Sequence, residues 1–155
     1  MLRISKLTDY ATVVLAALAE QPDQLRTAAA LAGRTRIAAP TVSKLLKQLH
    51  RAGLVTSTRG LHGGYQLARP PAQITVAAIL DALEGPMTLT DCSGGQGRQC
   101  GIEHHCRVAP VWQRLNVAIR RALSDVTLAE LAGLDSVQPR LPILEHEIKL
   151  AARHD

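Results

Sequence analysis

The clearest pattern of apolar and polar positions begins at Pro40 and continues to about residue 50. Apolar residues fall there at positions i, i+3, i+4 and i+7, a spacing that places them on one face of a helix. They are Val42, Leu45, Leu46 and Leu49. The opposite face carries Lys44, Lys47 and Arg51, with Thr41, Ser43 and Gln48 beside them. The pattern therefore predicts a helix with one buried apolar face and one cationic, polar face.

Similar spacing, together with N-capping residues, predicts further helices on both sides of this one. They cover residues 5–20, residues 28–32 after the N-cap Thr27, residues 76–83 after the N-cap Thr75, residues 107–123, and a short stretch that follows Thr127. Gly33 is expected to end the second helix as a C-cap or turn, and Glu130 forms a capping box with Thr127.

A hairpin is predicted directly after the cationic helix. Residues 54–58 have β-branched strand character, residues 60–64 are rich in glycine, and residues 65–67 return as a second strand. The fold class is therefore mainly α with a small β-hairpin wing, a winged helix-turn-helix followed by a long dimerisation helix. In such folds the second helix of the pair enters the major groove of DNA, and the wing reaches the flanking backbone or minor groove.

Length and composition limit the organisation of the chain. Its 155 residues, without a phenylalanine, allow one domain with a core of Leu, Ile, Val and Ala, plus an appended helix or tail. The expected division is a DNA-binding domain over residues 1–85, a cysteine-rich cluster-binding loop over 86–106, a dimerisation helix with a short capping helix over 107–133, and a partly ordered tail over 134–155.

Charge points to nucleic acid as the partner. The net charge is +5, and no Asp or Glu occurs between Gln24 and Leu80. A cationic field of this length favours a polyanion through counterion release, so double-stranded promoter DNA is the expected partner. The expected contacts are Thr41, Ser43, Lys44 and Lys47 from the cationic helix, and Arg59 and His62 from the wing. No stretch has the length of a membrane span or the apolar core of a signal peptide, so we expect a cytoplasmic protein without membrane contact.

All three cysteines, Cys92, Cys100 and Cys106, lie within one short stretch. Their spacings include no Cys-x-x-Cys knuckle of the kind that structural zinc sites use. The glycines between them would allow the loop to wrap around a group larger than one metal ion. Thiolates are soft ligands that suit iron-sulfur clusters, although softness also leaves open a zinc site or a bare thiol switch. A small redox or electron-transfer protein is a further alternative. No nucleotide-binding glycine motif follows a strand and no nucleophile pairs with a base, so an enzyme is not expected.

The helix predicted over residues 107–123 has a broad apolar side. Its members are Val108, Val111, Trp112, Leu115, Ala118, Ile119 and Ala122. We expect this side to contact both the first helix of the same chain and a second copy in a symmetric homodimer. DNA-binding proteins of this type usually bind two half-sites.

Several separate motifs, in order, resemble the bacterial winged-helix iron-sulfur regulator family (IscR/NsrR-like). They are Lys6-Leu-Thr-Asp-Tyr-Ala11, Gly53-Leu-Val-Thr-Ser-Thr-Arg-Gly60, Gly63-Gly-Tyr-Gln-Leu-Ala68, and three cysteines beyond a short helix. The likeness extends over residues 1–133, and within the family the chain is most similar to the Suf-operon regulators.

The resemblance implies a cytoplasmic homodimeric repressor that binds palindromic promoter DNA and senses iron-sulfur, redox or nitric-oxide status, with iron-sulfur assembly genes as targets. It also implies a 2Fe-2S or 4Fe-4S cluster held by the three cysteines and one other ligand. The assembly regulators of the family place a histidine three residues after the last cysteine, where this chain has Ala109. In the nitric-oxide-sensitive members an aspartate of the partner's first helix serves, and Asp9 matches it. His104 and His105 are the alternatives.

Overall fold

The structure, a computed structural model, describes residues 4–90 and 106–134. Six helices and one hairpin follow one another in this part of the chain. They are α1 (Lys6–Ala19), α2 (Ala28–Thr35), α3 (Ala39–Arg51), β1 (Val55–Thr58), β2 (Gly64–Leu67), a 3-10 turn (Pro71–Gln73), α4 (Val76–Glu84), α5 (Ala109–Asp125) and α6 (Leu128–Leu131). The predicted fold class, mainly helical with a two-stranded wing, is confirmed.

Side-chain hydrogen bonds to the backbone cap several helices at their first turn. Thr27 Oγ1 accepts from the backbone N–H of Ala30 at 3.1 Å, and Thr75 Oγ1 accepts from that of Ala78 at 3.2 Å. Thr127 and Glu130 form the full capping box. Each of these bonds satisfies an N–H group that has no partner within its own helix. The three caps predicted from the sequence are therefore confirmed.

The core lies where α1, α2 and α3 meet. Val42, Leu45, Leu46 and Leu49 are all 0% exposed, which confirms the predicted apolar face of α3. They pack with Leu15 of α1 and other apolar side chains in one cluster that also includes residues of the hairpin and α6. Burying a leucine of this kind contributes roughly 1.5–3 kcal/mol relative to leaving it in water, so α3 is held firmly with its other face outward.

The prediction that Gly33 ends the second helix is wrong. α2 continues through Gly33 to Thr35, and Arg36 closes it in a left-handed conformation with φ of 57°. Thr35 stabilises this last turn, because its hydroxyl donates to the carbonyl of Leu31 at 2.7 Å. One glycine does not break a helix whose next residues still satisfy the backbone.

β2 of the hairpin also pairs with the segment that leads into α2. β1 and β2 are antiparallel, with Val55 opposite Leu67 and Thr58 opposite Gly64. Arg26, just before α2, exchanges two backbone hydrogen bonds with Tyr65 of β2, at 2.9 and 2.8 Å. The hairpin is therefore extended by a third paired segment beside β2.

The long helix α5 packs against α4 and leaves most of its own surface open. Arg120 of α5 donates two hydrogen bonds to Asp81 of α4, at 3.1 and 2.5 Å. Ala109 is the buried residue of α5, whereas Val111, Trp112 and Leu115 are 41–47% exposed. The expectation that α1 of the same chain covers the apolar side of α5 is therefore wrong for the described residues. No helix in the described ranges is long and apolar enough to cross a membrane.

Candidate nucleic-acid interface and cysteine segment

The outward face of α3 carries the predicted DNA-contacting residues. Lys44 and Lys47 are exposed, and Thr41 and Ser43 are half-buried beside them. Residues three apart on a helix are neighbours on its surface, so the two ammonium groups share one face. The buried stripe on the other side fixes the orientation of this face, which presents two cations flanked by hydroxyl groups.

The wing supplies the second group of predicted contacts. Arg59 and His62 are both exposed and flank the tip of the hairpin. Between them lies Leu61, which is 95% exposed. Leu61 was not predicted as a contact from the sequence, because a lone apolar residue between Gly60 and Gly63 shows no periodicity.

Two carboxylates of the described residues are paired with arginines outside α3 and the wing. Glu20 pairs with Arg34, and Asp81 pairs with Arg120, whose pKa is raised by the hydrogen bonds and charge of that carboxylate. Neither ion pair found among the described residues involves α3 or the wing. The cations of α3 and the wing are therefore not neutralised by those carboxylates.

The cysteine segment is described only at its end. Cys106 is a half-buried free thiol that lies just before α5. Cys92, Cys100, His104 and His105 lie outside the described residues, and within the described ranges no group of three metal-ligating side chains occurs. Asp9 is exposed in the first turn of α1. The ligand set of three cysteines and Asp9 therefore stays a prediction.

A carboxylate at the end of α4 ties this helix to the start of α1. Glu84 Oε1 accepts from the backbone N–H of Ser5 at 2.9 Å and from the hydroxyl of Thr8, which is 2% exposed, at 2.5 Å. These hydrogen bonds, that of Thr8 above all, lower the pKa of Glu84. The bonds therefore hold the end of α4, which precedes the cysteine segment, to the start of α1 in the same chain. No local pattern in the sequence indicates this contact between distant residues.

Comparisons with known proteins agree with one another. The sequence profile of Rrf2, described as an iron-dependent transcriptional regulator, matches residues 4–133. A candidate HTH-type transcriptional regulator of Synechocystis sp. is 35% identical over 84% of this chain and 87% of its own length. The HTH-type transcriptional regulator IscR of Sodalis glossinidius is 34% identical over 70% of this chain and 65% of its own length.

Solved structures of transcriptional regulators are also similar to this chain. CymR, the global cysteine regulator of B. subtilis, superimposes with a TM-score of 0.67 at 28% identity, over 88% of this chain and 100% of that structure. IscR of T. potens superimposes with a TM-score of 0.62 at 28% identity, over 88% of this chain and 91% of that structure. The resemblance found from the sequence motifs is confirmed at the level of the family.

Proposed function

This chain belongs to the Rrf2 family of transcriptional regulators, and from that premise we propose that it is a homodimeric repressor whose promoter binding responds to an iron-sulfur cluster. It is a DNA-binding regulator and not an enzyme. The observation that carries the DNA-binding part is the face of α3, where Lys44 and Lys47 point away from a fully buried stripe.

The proposed reader consists of α3 and the wing. α3 enters the major groove with Thr41, Ser43, Lys44 and Lys47, and Arg59 and His62 reach the flanking backbone. Lysine side chains favour phosphate through charge, whereas hydroxyl groups donate to or accept from base edges. The long stretch without carboxylates supports this orientation, because no negative side chain of that stretch repels the duplex.

The proposed dimer forms through the exposed apolar side of α5. Val111, Trp112 and Leu115 are 41–47% exposed on one helix side, which is unusual for adjacent large apolar residues of a lone subunit. A second copy of the same helix offers a matching apolar surface, and a twofold dimer brings two α3 helices to a palindromic site.

The proposed cofactor is a 2Fe-2S or 4Fe-4S cluster held by Cys92, Cys100, Cys106 and Asp9, with His104 or His105 as alternatives to Asp9. The free, half-buried thiol of Cys106 and the donor set of three thiolates and one oxygen fit such a group. When bound, the cluster supplies sensitivity to oxidants or nitric oxide. Two of the compared regulators carry the name IscR, which supports this choice over zinc or a bare thiol switch.

Cluster state acts on DNA binding, in this proposal, through the segment that joins α4 to α5. A cluster bound by Cys92, Cys100 and Cys106 would tether the end of α4 to the start of α5, and Asp9 would add α1 of the partner subunit. The genes controlled are proposed to be those of iron-sulfur cluster assembly, and the protein works in the cytoplasm, where the promoter lies.

Substitution of the two lysines tests the reader. Lys44→Ala and Lys47→Ala are each expected to weaken binding to duplexes selected by the wild-type protein. Each should lower the slope of log affinity against log salt by about 0.9, the value for one lost phosphate contact. Arg114→Ala, on exposed α5, is the matched control and should leave the slope unchanged. Wild-type slopes in both lysine variants would show that α3 is not the reader.

Metal analysis separates the candidate cofactors. Anaerobically purified protein should be coloured and contain iron and acid-labile sulfide. A colourless protein with one zinc per chain would overturn the cluster, and a metal-free protein with a reversible thiol oxidation would favour the thiol switch.

A further inference from the structure

The tip of the wing carries an apolar side chain among DNA-facing polar ones. Leu61 is 95% exposed, whereas the other exposed large apolar side chains of the described residues lie between 37% and 57%. Single exposed leucines are ordinary on protein surfaces, so exposure alone assigns no role. The shape of the turn and the charges around it indicate a role for Leu61.

Two glycines fix how the turn presents this side chain. The N–H of Gly63 donates to the carbonyl of Gly60 at 3.0 Å, which makes Leu61 and His62 the two corner residues. Gly60 has φ of +115°, and a Cβ on Gly63 would lie 2.3 Å from the carbonyl oxygen of Thr58. A side chain at position 63 would therefore open the turn, and Leu61 projects from a compact, closed loop.

The end of the strand ladder next to the tip is equally constrained. Gly64 lies so close to the backbone of Arg26 that an added Cβ would be 2.8 Å from its carbonyl oxygen. Val55 and Leu67, at the far end of the ladder, are buried in the core. The tip is thus held by a base that packs with α3, so Leu61 has a defined position relative to the reading helix.

The charges around Leu61 identify its partner as nucleic acid. Arg59 and His62 flank it and are exposed, and no carboxylate lies within the chain from Gln24 to Leu80. An apolar residue within a cationic surface matches the proteins that bind the minor groove, which place cations on phosphates and push an apolar wedge between two base pairs.

We propose that Leu61 is such a wedge: it enters the minor groove beside the half-site bound by α3 and partly unstacks one base step. This inference rests on the proposed DNA-binding function. It adds a specificity that needs no hydrogen bond to a base, because pyrimidine–purine steps such as TA unstack easily and A-tracts resist. The wing would therefore select for flexible DNA at its own position.

Binding to duplexes selected by the wild-type protein from a random pool tests the wedge. Footprinting locates the step under the wing, and that step is then made either TA or part of an A-tract. The wild-type protein should prefer the TA duplex about tenfold, and Leu61→Ala should bind that duplex about tenfold more weakly and lose the preference. Its salt slope should stay at the wild-type value, since no cation has been removed.

Two matched variants sharpen the result. Leu61→Met keeps a flexible apolar side chain and should retain the preference, whereas Arg59→Ala should lower the salt slope and keep the preference. Because Leu61 is almost fully exposed, none of these changes should alter the melting temperature of the free protein. Wild-type affinity and preference in Leu61→Ala would overturn the wedge and leave the reader intact. A wild-type protein that selects no duplex would overturn the proposed function itself.

Discussion

Glu84 links the end of α4 to the start of α1 through its carboxylate. Its carboxylate oxygen accepts two hydrogen bonds from α1, and these keep its pKa below the ordinary value of 4.5. A depressed pKa means that the folded state binds the proton less readily than the unfolded state. The stabilisation is therefore complete above the ordinary pKa and is lost as pH falls through the lower, folded-state value.

This sign gives a pH-dependent prediction for Glu84→Gln. Above pH 5, the variant should melt below the wild type, because an amide oxygen accepts the bonds of Ser5 and Thr8 more weakly than a carboxylate. Below pH 4.5, the two melting curves should converge as the wild-type carboxylate is protonated. Thermal unfolding followed by circular dichroism from pH 7 to pH 3 measures both the difference above pH 5 and the convergence below pH 4.5. A constant difference across this range would mean that the charge of Glu84 contributes nothing.

The predicted role of Asp9 as a cluster ligand rests on one exposed carboxylate. Asp9→Ala should shorten the lifetime of the cluster in air by at least about tenfold, since loss of a group that only supports a metal ligand already costs roughly 10- to 100-fold in metal affinity. The melting temperature of the cluster-free protein should not change, because the side chain is exposed. Absorbance decay of the cluster measures the lifetime. A wild-type lifetime in Asp9→Ala, with rapid loss in His104→Ala or His105→Ala, would move the fourth ligand to that histidine.

The contact between α4 and α5 includes the ion pair of Asp81 and Arg120. Both side chains are partly exposed, at 29% and 47%, so solvent screens the interaction strongly. Asp81→Asn and Arg120→Gln should each lower the unfolding free energy by less than about 1 kcal/mol. The double variant should lose little beyond either single variant. Urea unfolding of all four proteins measures the coupling, and fully additive losses would show that the pair makes no joint contribution.

The elements also show what the sequence can predict. The face of α3 and the caps at Thr27, Thr75 and Thr127 depend on residues three or four apart, so local spacing was sufficient to predict them. The end of α2 was predicted wrongly because the hydroxyl of Thr35 supports another turn beyond Gly33.

Features that join distant parts of the chain could not be predicted in this way. The bonds of Glu84 to Ser5 and Thr8 cross more than 70 residues. The apolar side of α5 was visible in the sequence, but its spacing does not show what covers it, and α1 of the same chain does not. Leu61 could be located only once the turn was seen, because a lone leucine carries no periodicity.

The exposed apolar side of α5 is the proposed dimer interface. Leu115→Glu should convert the dimer to a monomer, because a carboxylate in an apolar interface loses its hydration without gaining a partner. Arg114→Glu introduces the same group away from the apolar side and should remain dimeric. Sedimentation velocity at micromolar concentration distinguishes the two. A dimeric Leu115→Glu would mean that α5 is not the interface.

One titration tests whether the state of the cluster sets promoter affinity. The same selected duplex is titrated anaerobically with cluster-loaded wild-type protein and then with protein whose cluster has been removed. Coupling between two sites is commonly about 5- to 150-fold, so we predict dissociation constants that differ by at least fivefold. Cys92→Ala, which cannot complete the ligand set, should bind like the cluster-free protein under both conditions. Equal dissociation constants for the loaded and cluster-free wild-type protein would contradict the claim.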